Sequence, residues 1–331
     1  MKWRELHEKY ARLLWALHSA WALISGIAVL VLAHNRYGFL RWAVLFIALT
    51  WGSTLFLSRF AAKSESRVFQ FAQSFVSYLT RVMYQETLFF LIPFYFYSAT
   101  VRSWNFLYVI ALAAFAVLSC FDLLFDRLLR EHRWFAVGFF AFVSFSALQF
   151  FLPLLLRTHI EYGGYLGAAL SFLAALALAP SRDYLRDRRR LAIVIVVFLG
   201  VLIGVRLLRP LIPPVPLRLT RITFAGAIDH RTLAMPNSFD RDIPASELRR
   251  GRIYAVATIF SPERIPAEIQ IRFLHDGEVL RASRVAGFTA RPGGFRVWDS
   301  VRVPANSASE YRVEVWTAGQ LLGERVVRVV R

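Results

Sequence analysis

The stretch Arg209-Pro210-Leu211-Ile212-Pro213-Pro214-Val215-Pro216-Leu217 divides the chain into two unlike parts. Four of the seven residues 210–216 are prolines, which fix φ and lack a backbone N–H, so a helix that enters this stretch must end there. We interpret residues 210–216 as a stiff, extended linker. The sequence before the linker contains long apolar runs, whereas the sequence after it alternates between apolar and polar residues.

Seven apolar runs precede the linker, each near the length of about 20 residues that a helix needs to cross the hydrocarbon layer of a membrane. They lie at residues 13–33, 39–58, 84–101, 104–125, 134–156, 163–180 and 191–209. Residues 1–209 are therefore predicted to form an all-α membrane bundle of seven transmembrane helices. Residues 64–86 carry apolar side chains at helical spacing, which predicts an amphipathic helix in the membrane interface or an extension of the third span.

Basic residues are distributed unequally over the loops that these spans create. One set of loops carries sixteen of them, namely Lys2, Arg4, Lys9, Arg12, Arg59, Lys63, Arg67, Arg81, Arg127, Arg130, Arg133, Arg182, Arg186, Arg188, Arg189 and Arg190. The other set carries only Arg36, Arg41, Arg102 and Arg157. Because loops rich in Lys and Arg stay in the cytoplasm during insertion, this bias predicts a multi-pass protein of a bacterial inner membrane, with a cytoplasmic N-terminus and a periplasmic C-terminal domain.

Residues 217–331 alternate between apolar and polar side chains in short runs, which is typical of strands. We place the strands at residues 253–260, 268–274, 278–285, 294–301, 311–316 and 321–330. Asp276-Gly277 is a strong signal for a two-residue hairpin turn, and Ala318-Gly319 is a weaker one. Many short strands without helical stretches predict a small all-β sandwich domain over residues 217–331.

Four segments in this order resemble an uncharacterised bacterial family of multi-span membrane proteins that carry a C-terminal domain of unknown function. The segments are PPVPL (213–217), GRIYAVATIFSPERIPAEIQIRF (251–273), GGFRVWDSV (293–301) and YRVEVWTAGQLLGERVVRV (311–329). The resemblance covers residues 213–330 and, as a general architecture, the membrane part. It implies the two-part organisation and no reaction.

Two strands of the predicted sandwich carry Trp and Arg at alternate positions. If their apolar residues face the interior, Arg296 and Trp298 point outward on one strand, and Arg312 and Trp316 do so on another. Exposed tryptophans beside arginines are typical of a surface that binds a partner. The alternative is that one Trp is buried and the arginines only solvate the sheet.

A second group of candidates consists of ionisable residues within the predicted spans, which are costly in a membrane and often functional. They are His18, Glu86, Asp122 and Asp126. A proton-linked pathway through them is one hypothesis. The other is that Asp122, Asp126 and Arg130, which share one helical stripe, neutralise one another near the membrane surface.

Several classes of site have no signature in this sequence. It contains no HExxH-type, GxSxG or Walker motif, and His230 and His275 stand far apart, so we expect no catalytic residues, metal or cofactor. The net charge of +18 does not indicate a nucleic-acid partner, because many of the basic residues flank predicted spans. Cys120 is the only cysteine, which excludes an intramolecular disulfide.

These patterns leave two functions open. The first is a membrane protein that displays a periplasmic β-sandwich as a binding or scaffold module for a protein, glycan or lipid-linked partner. The alternative is a transporter or lipid-active membrane enzyme with the β-sandwich as an accessory domain, because one span would already anchor the chain. Membrane lipid is an expected partner in both.

Overall fold

The computed structural model describes residues 67–178, 187–248, 251–290, 294–303 and 309–330, with isolated positions between 20 and 52. The predicted spans at residues 13–33 and 39–58 lie largely outside this part of the chain. Contacts divide the chain into two compact units. Unit 1 comprises Met1–Pro93, Val109–Phe151 and Gly164–Arg206, and unit 2 comprises Phe94–Tyr108, Leu152–Gly163 and Leu207–Arg331.

The described residues contain six bounded α-helices, which we number in chain order. They are α1 (Arg67–Ser98), α2 (Phe106–Cys120), α3 (Asp122–Glu131), α4 (Arg133–Leu156), α5 (Ile160–Leu178) and α6 (Arg188–Leu207). The helix α1 joins the predicted amphipathic segment 64–86 to the predicted third span in one continuous helix of 32 residues.

The predicted bundle of seven transmembrane helices is wrong. Among the six helices of the described residues, only α4 and α6 are long and apolar enough to cross a membrane by length and composition. The predicted span 104–125 is divided, because α2 ends at Cys120 and α3 begins at Asp122. At 1.5 Å per residue, the 15 residues of α2 extend about 22 Å, which is short of the hydrocarbon thickness of about 30 Å.

Aromatic rings pack the interior of unit 1 around Phe139 of α4. The ring of Phe139 lies 4.9 Å from that of Phe125 on α3, and 5.6 Å from those of Tyr84 on α1 and Phe115 on α2, measured between centroids. Edge-to-face contacts of this kind add stability beyond the burial of apolar area. Four helices therefore meet at one side chain.

Unit 2 contains the strands β1 (Arg218–Ala225), β2 (Asp242–Pro244), β3 (Arg252–Phe260), β4 (Pro266–His275), β5 (Glu278–Thr289), β6 (Phe295–Arg302), β7 (Glu310–Thr317) and β8 (Gln320–Val330). Their order is β1-β3-β6 in a three-stranded sheet and β2-β8-β7-β4-β5 in a five-stranded sheet. Only β2 pairs in parallel, with β8, among these strands.

Both predicted hairpin turns are confirmed. Asp276 and Gly277 have φ of 51° and 85° between β4 and β5, and Ala318 and Gly319 have φ of 51° and 77° between β7 and β8. Two successive residues with positive φ match the right-handed twist of the flanking strands. Glycine at the second position therefore suits each turn.

The two sheets bury their apolar faces against each other. Ile222 and Phe224 of β1, and Ile269, Ile271 and Phe273 of β4, are all buried. An ion pair also joins the sheets, because Arg281 on β5 donates to both carboxylate oxygens of Asp299 on β6, at 3.0 and 3.1 Å. Asp299 faces the interior, where its side chain is only 6% exposed.

The proline-rich segment is part of the interior of unit 2. Ile212, Val215 and Leu217 are buried, as are the prolines between Ile212 and Leu217. The four prolines predicted an extended linker in solvent. The segment is buried instead, because removing the apolar side chains between the prolines from water is favourable. The predicted extended linker is therefore wrong for residues 212–216, because these residues are buried in unit 2 directly before β1.

Candidate functional site

Three aromatic rings come together on the three-stranded sheet of unit 2. Tyr254 lies on β3, Trp298 lies on β6, and His230 belongs to the loop that follows β1. The centroid of the Trp298 ring lies 4.7 Å from that of His230 and 6.1 Å from that of Tyr254, and His230 and Tyr254 are 6.1 Å apart. We call these three residues the aromatic cluster.

Strand register places two of these rings side by side. Trp298 pairs with Val256, and Tyr254 pairs with Ser300, so Tyr254 and Trp298 are diagonal neighbours on one face of the sheet. The residues that alternate with them, such as Ala255 and Val297, are buried on the opposite face. The aromatic cluster therefore lies on the outer face of the three-stranded sheet.

The His230 ring is held by a compact loop around Asp229. The carboxylate of Asp229 accepts the hydroxyl of Thr232 at 2.6 Å and the backbone N–H of Arg231 at 2.9 Å. These two hydrogen bonds, with the one from Thr232 the larger cause, lower the pKa of Asp229 below its ordinary value of 3.8. The loop closes through the backbone, because Asp229 donates to Ala234 at 2.9 Å.

The four residues that the sequence predicted as outward-facing do not form one site. Arg296 and Trp298 lie on β6 of the three-stranded sheet, whereas Arg312 and Trp316 lie on β7 of the five-stranded sheet. Both arginines are exposed, and both tryptophans are half-buried. Only Trp298 belongs to the aromatic cluster, with Arg296 two residues away on the same face.

Trp316 is enclosed by polar partners from its own sheet. Its indole N–H donates to Glu314 at 2.8 Å, and the guanidinium of Arg272 lies 4.5 Å from its ring centroid. Arg272 in turn donates to the side-chain carbonyl of Gln270, and Arg312 lies 3.9 Å from Glu324. Polar and charged side chains therefore surround the Trp316 ring on this face.

A model described as a family of unknown function, DUF5924, matches residues 1–255, more than three quarters of the chain. The chain belongs to this family. The expectation of an uncharacterised family is thereby confirmed. The matched range includes Tyr254 and the loop of His230, and it ends before Trp298.

Other comparisons add no function to this DUF5924 member. No curated protein matches the chain. Among solved structures, it is similar to the Pseudomonas fluorescens alkylpurine DNA glycosylase AlkC bound to DNA containing an abasic site analog, with 11% sequence identity over 77% of this chain and 81% of that chain. The TM-score is 0.20, which is too low to indicate a shared fold.

Of the predicted intramembrane candidates in this DUF5924 chain, only Glu86 has a side chain that the structure describes. Glu86 is half-buried on α1, and His18 lies outside the described residues. Asp122 and Asp126 lie on α3, and their side chains are outside what the structure describes. Within the described residues, no group of three or more His, Cys, Asp and Glu side chains could hold a metal ion.

Sequence reasoning missed two members of the aromatic cluster. Tyr254 was inside a predicted strand, but its neighbour on β6 depends on the register between strands. His230 was identified only as a histidine without a metal-binding partner. Its contact with Trp298 arises from the loop after β1, which carries no periodic pattern.

Proposed function

We propose that the chain is an integral protein of a bacterial inner membrane that displays the sheets of unit 2 in the periplasm as a binding module for a partner protein. The aromatic cluster, with the exposed Arg296, is the binding surface in this proposal. The observation that carries it is the convergence of Trp, Tyr and His rings on an outer sheet face, because Trp, Tyr and Arg dominate the energetic centres of protein interfaces.

The membrane location is supported by the surface of α6. None of its residues is buried, and it exposes large apolar side chains such as Ile195, Val196 and Ile203, with Val196 67% exposed. A helix that is hydrophobic on all sides is stable in a lipid environment and unfavourable in water. Lipid tails would cover this surface.

The proposed orientation is supported by the charges at the helix ends. The helix α4 begins at Arg133, and α6 begins with Arg188, Arg189 and Arg190. Basic residues at these ends favour the cytoplasmic side of a membrane. Because α6 leads into the sheets of unit 2, the sheets would then lie in the periplasm.

Unit 2 offers a rigid base for such a binding surface. The Ser98 hydroxyl donates to the carbonyl of Leu217 at 2.6 Å, and Asn105 donates to the carbonyl of Leu321 at 2.8 Å. The guanidinium of Arg218 lies 4.1 Å from the ring centroid of Tyr97. A module held by buried hydrogen bonds loses little conformational entropy when it binds a partner.

Site-specific photo-crosslinking in intact membranes would test the binding surface. A photoreactive residue in place of Arg296 is expected to give one adduct of defined mass, and the same residue in place of Arg312 is expected to give none. Adding Trp298→Ala should abolish the adduct, whereas Trp316→Ala should leave it, because Trp316 lies on the other sheet. Equal adducts from both positions would contradict the proposed surface.

The chemistry of the partner follows from the same experiment. Protease treatment of the adduct should shift its mass if the partner is a protein, whereas lysozyme-type digestion should shift it if the partner is a glycan. A reporter enzyme fused behind residue 331 tests the location separately. Activity confined to the periplasm supports the orientation, and activity confined to the cytoplasm contradicts it.

A further inference from the structure

A cavity of about 720 Å³ lies in unit 1 between α4, α5 and α6. Its size falls within the range of roughly 300–1,000 Å³ that is typical of ligand-binding sites. Apolar side chains form almost the whole lining. Its two polar lining residues are Arg133 and Ser171.

Small residues keep this space open. Gly138 and Ala141 of α4 and Ala168 and Ala175 of α5 line the cavity, together with valines of α6. A Cβ added at Gly138 would meet no atom within 4 Å, so the space next to this glycine is not filled by a neighbouring described side chain. Close packing is the rule in protein interiors, and a gap of this size between helices suits an apolar ligand.

One end of the cavity is basic. Arg133 lines the cavity at the start of α4, next to Trp134, which is 87% exposed. Phe172 of α5 contacts Phe198 of α6, with 5.3 Å between their ring centroids. On α6, Arg190 lies three residues, or less than one helical turn, before the lining residue Ile193, so the basic start of this helix also borders the cavity. A cationic end beside an apolar space is complementary to a lipid with an anionic headgroup.

An unpaired hydroxyl lies deeper in the same cavity. Ser171 is 3% exposed, and its Oγ has no hydrogen-bond partner among the described residues. A buried hydroxyl without a partner is costly, and a ligand that accepts a hydrogen bond from it removes this cost. Ser171 precedes the end of α5 by seven residues, or about 10 Å along the helix.

We infer that this cavity binds one acyl chain of an anionic phospholipid, with the phosphate at the Arg133 end and an ester carbonyl accepting the Ser171 hydroxyl. This inference rests on the membrane location proposed above. Trp134, next to Arg133, is suited to the level of the lipid headgroups, because a Trp ring prefers the interface between headgroups and acyl chains. Basic recesses between helices on the cytoplasmic side are suited to anionic headgroups.

The test uses full-length protein in nanodiscs of phosphatidylethanolamine and phosphatidylglycerol, with retained lipids counted by native mass spectrometry. Gly138→Leu should fill the cavity and reduce retained phosphatidylglycerol roughly tenfold. Gly200→Leu is the matched control, because Gly200 lies on α6 outside the lining and a Cβ there also meets no atom within 4 Å. Val197→Phe, which fills the opposite wall, replaces Gly138→Leu if that variant fails to fold.

A separate variant tests the contact between Arg133 and the lipid headgroup. Arg133→Gln should weaken the preference for phosphatidylglycerol over phosphatidylcholine about fivefold, the effect expected for one basic residue near a membrane surface. Equal retention in Gly138→Leu and Gly200→Leu, with the protein resistant to alkaline extraction, would overturn the lipid site alone. Loss of the parent protein from membranes under alkaline extraction would instead overturn the membrane location and, with it, this site.

Discussion

The hydroxyl of Ser98 donates a hydrogen bond of 2.6 Å to the backbone carbonyl of Leu217, 119 residues later in the chain, and both residues are buried. Ser98 is the last residue of α1, and Leu217 immediately precedes β1. The point at which the sheets begin is therefore fixed by a side chain from a helix end. The end of the proline-rich segment is thus held within unit 2.

Asn105 makes the second contact of this kind, and its loss should destabilise unit 2. Its amide donates to the carbonyl of Leu321 at 2.8 Å and accepts the backbone N–H of Thr100 at 3.1 Å, in a fully buried position. Asn105→Ala leaves two backbone groups without partners, which costs about 1–3 kcal/mol of unfolding free energy. Thermal unfolding of the full chain in detergent measures this loss.

Asn237→Ala provides the matched control for Asn105. Asn237 also donates through its amide, to Glu247 at 2.9 Å, but it is exposed, so water replaces its partner after substitution. We expect a change within about 0.5 kcal/mol for this variant. If both variants lower the unfolding free energy equally, the buried hydrogen bonds of Asn105 do not stabilise unit 2 more than an exposed hydrogen bond does.

Alternation predicted six of the eight strands, because it records which side chains are buried, but β1 and β2 were missed. The strand predicted at residues 253–260 is Arg252–Phe260 in the structure, and the run predicted at 311–316 is Glu310–Thr317. Turn chemistry added the hairpins at Gly277 and Gly319, since few residues other than glycine adopt a φ of 85° or 77° at low cost. Both signals are local in sequence.

Hydropathy predicted the positions of apolar helices but not their lengths or number. The break at Phe121, where φ is −91° and ψ is 77°, divides the predicted fourth span into α2 and α3. An average over about 20 residues cannot detect a break at a single residue. The aromatic cluster was equally hidden, because the contact between His230 and Trp298 depends on a loop and on strand register.

Gly226, the residue after β1, should not tolerate a side chain. A Cβ at this position would overlap the backbone carbonyl oxygen of Glu247 and lie 2.7 Å from its carbonyl carbon. Backbone atoms cannot rotate away, so Gly226→Ala should lower the unfolding free energy by about 1–3 kcal/mol. Gly138→Ala, in open space within α4, should instead be neutral or stabilise by up to about 1 kcal/mol. Thermal unfolding of both variants checks that only Gly226→Ala lowers the unfolding free energy.

The loop that holds His230 should loosen in acid. The pKa of Asp229 is lowered in the folded protein, chiefly by the hydroxyl of Thr232. A carboxyl with a lowered folded pKa stabilises the fold above its unfolded pKa, and this contribution is lost as pH falls through the folded pKa. The loop contacts should therefore be intact above pH 3.8 and weaken below it.

Carbon NMR of full-length protein labelled at aspartate in micelles measures this titration. Thr232→Val removes the hydroxyl and should move the midpoint of Asp229 up toward 3.8, whereas Thr232→Ser keeps the hydroxyl and should leave it low. If the titration midpoint of Asp229 stays low in both variants, the lowered pKa has another cause, such as the hydrogen bond from the backbone N–H of Arg231.

Two arginines of β5 offer the sharpest comparison between a buried and an exposed partner. Arg281 pairs at 3.0 Å with Asp299, whose side chain is 6% exposed, and Arg284 pairs at 2.9 Å with Glu268, whose side chain is 43% exposed. Arg281→Ala leaves a carboxylate between the sheets without its cation, which costs several kcal/mol when a pair is fully buried. Because Arg281 itself is 50% exposed, water reduces the expected loss to about 1–3 kcal/mol.

Arg284→Ala should change the unfolding free energy by less than about 0.5 kcal/mol, since exposed ion pairs contribute little. Adding Asp299→Asn to Arg281→Ala removes the unpaired charge and should restore part of the lost stability, which a double-mutant cycle measures directly. The prediction is contradicted if both arginine variants lower the unfolding free energy equally. It is also contradicted if the double variant recovers no stability, because the ion pair between Arg281 and Asp299 would then not stabilise the contact between the sheets.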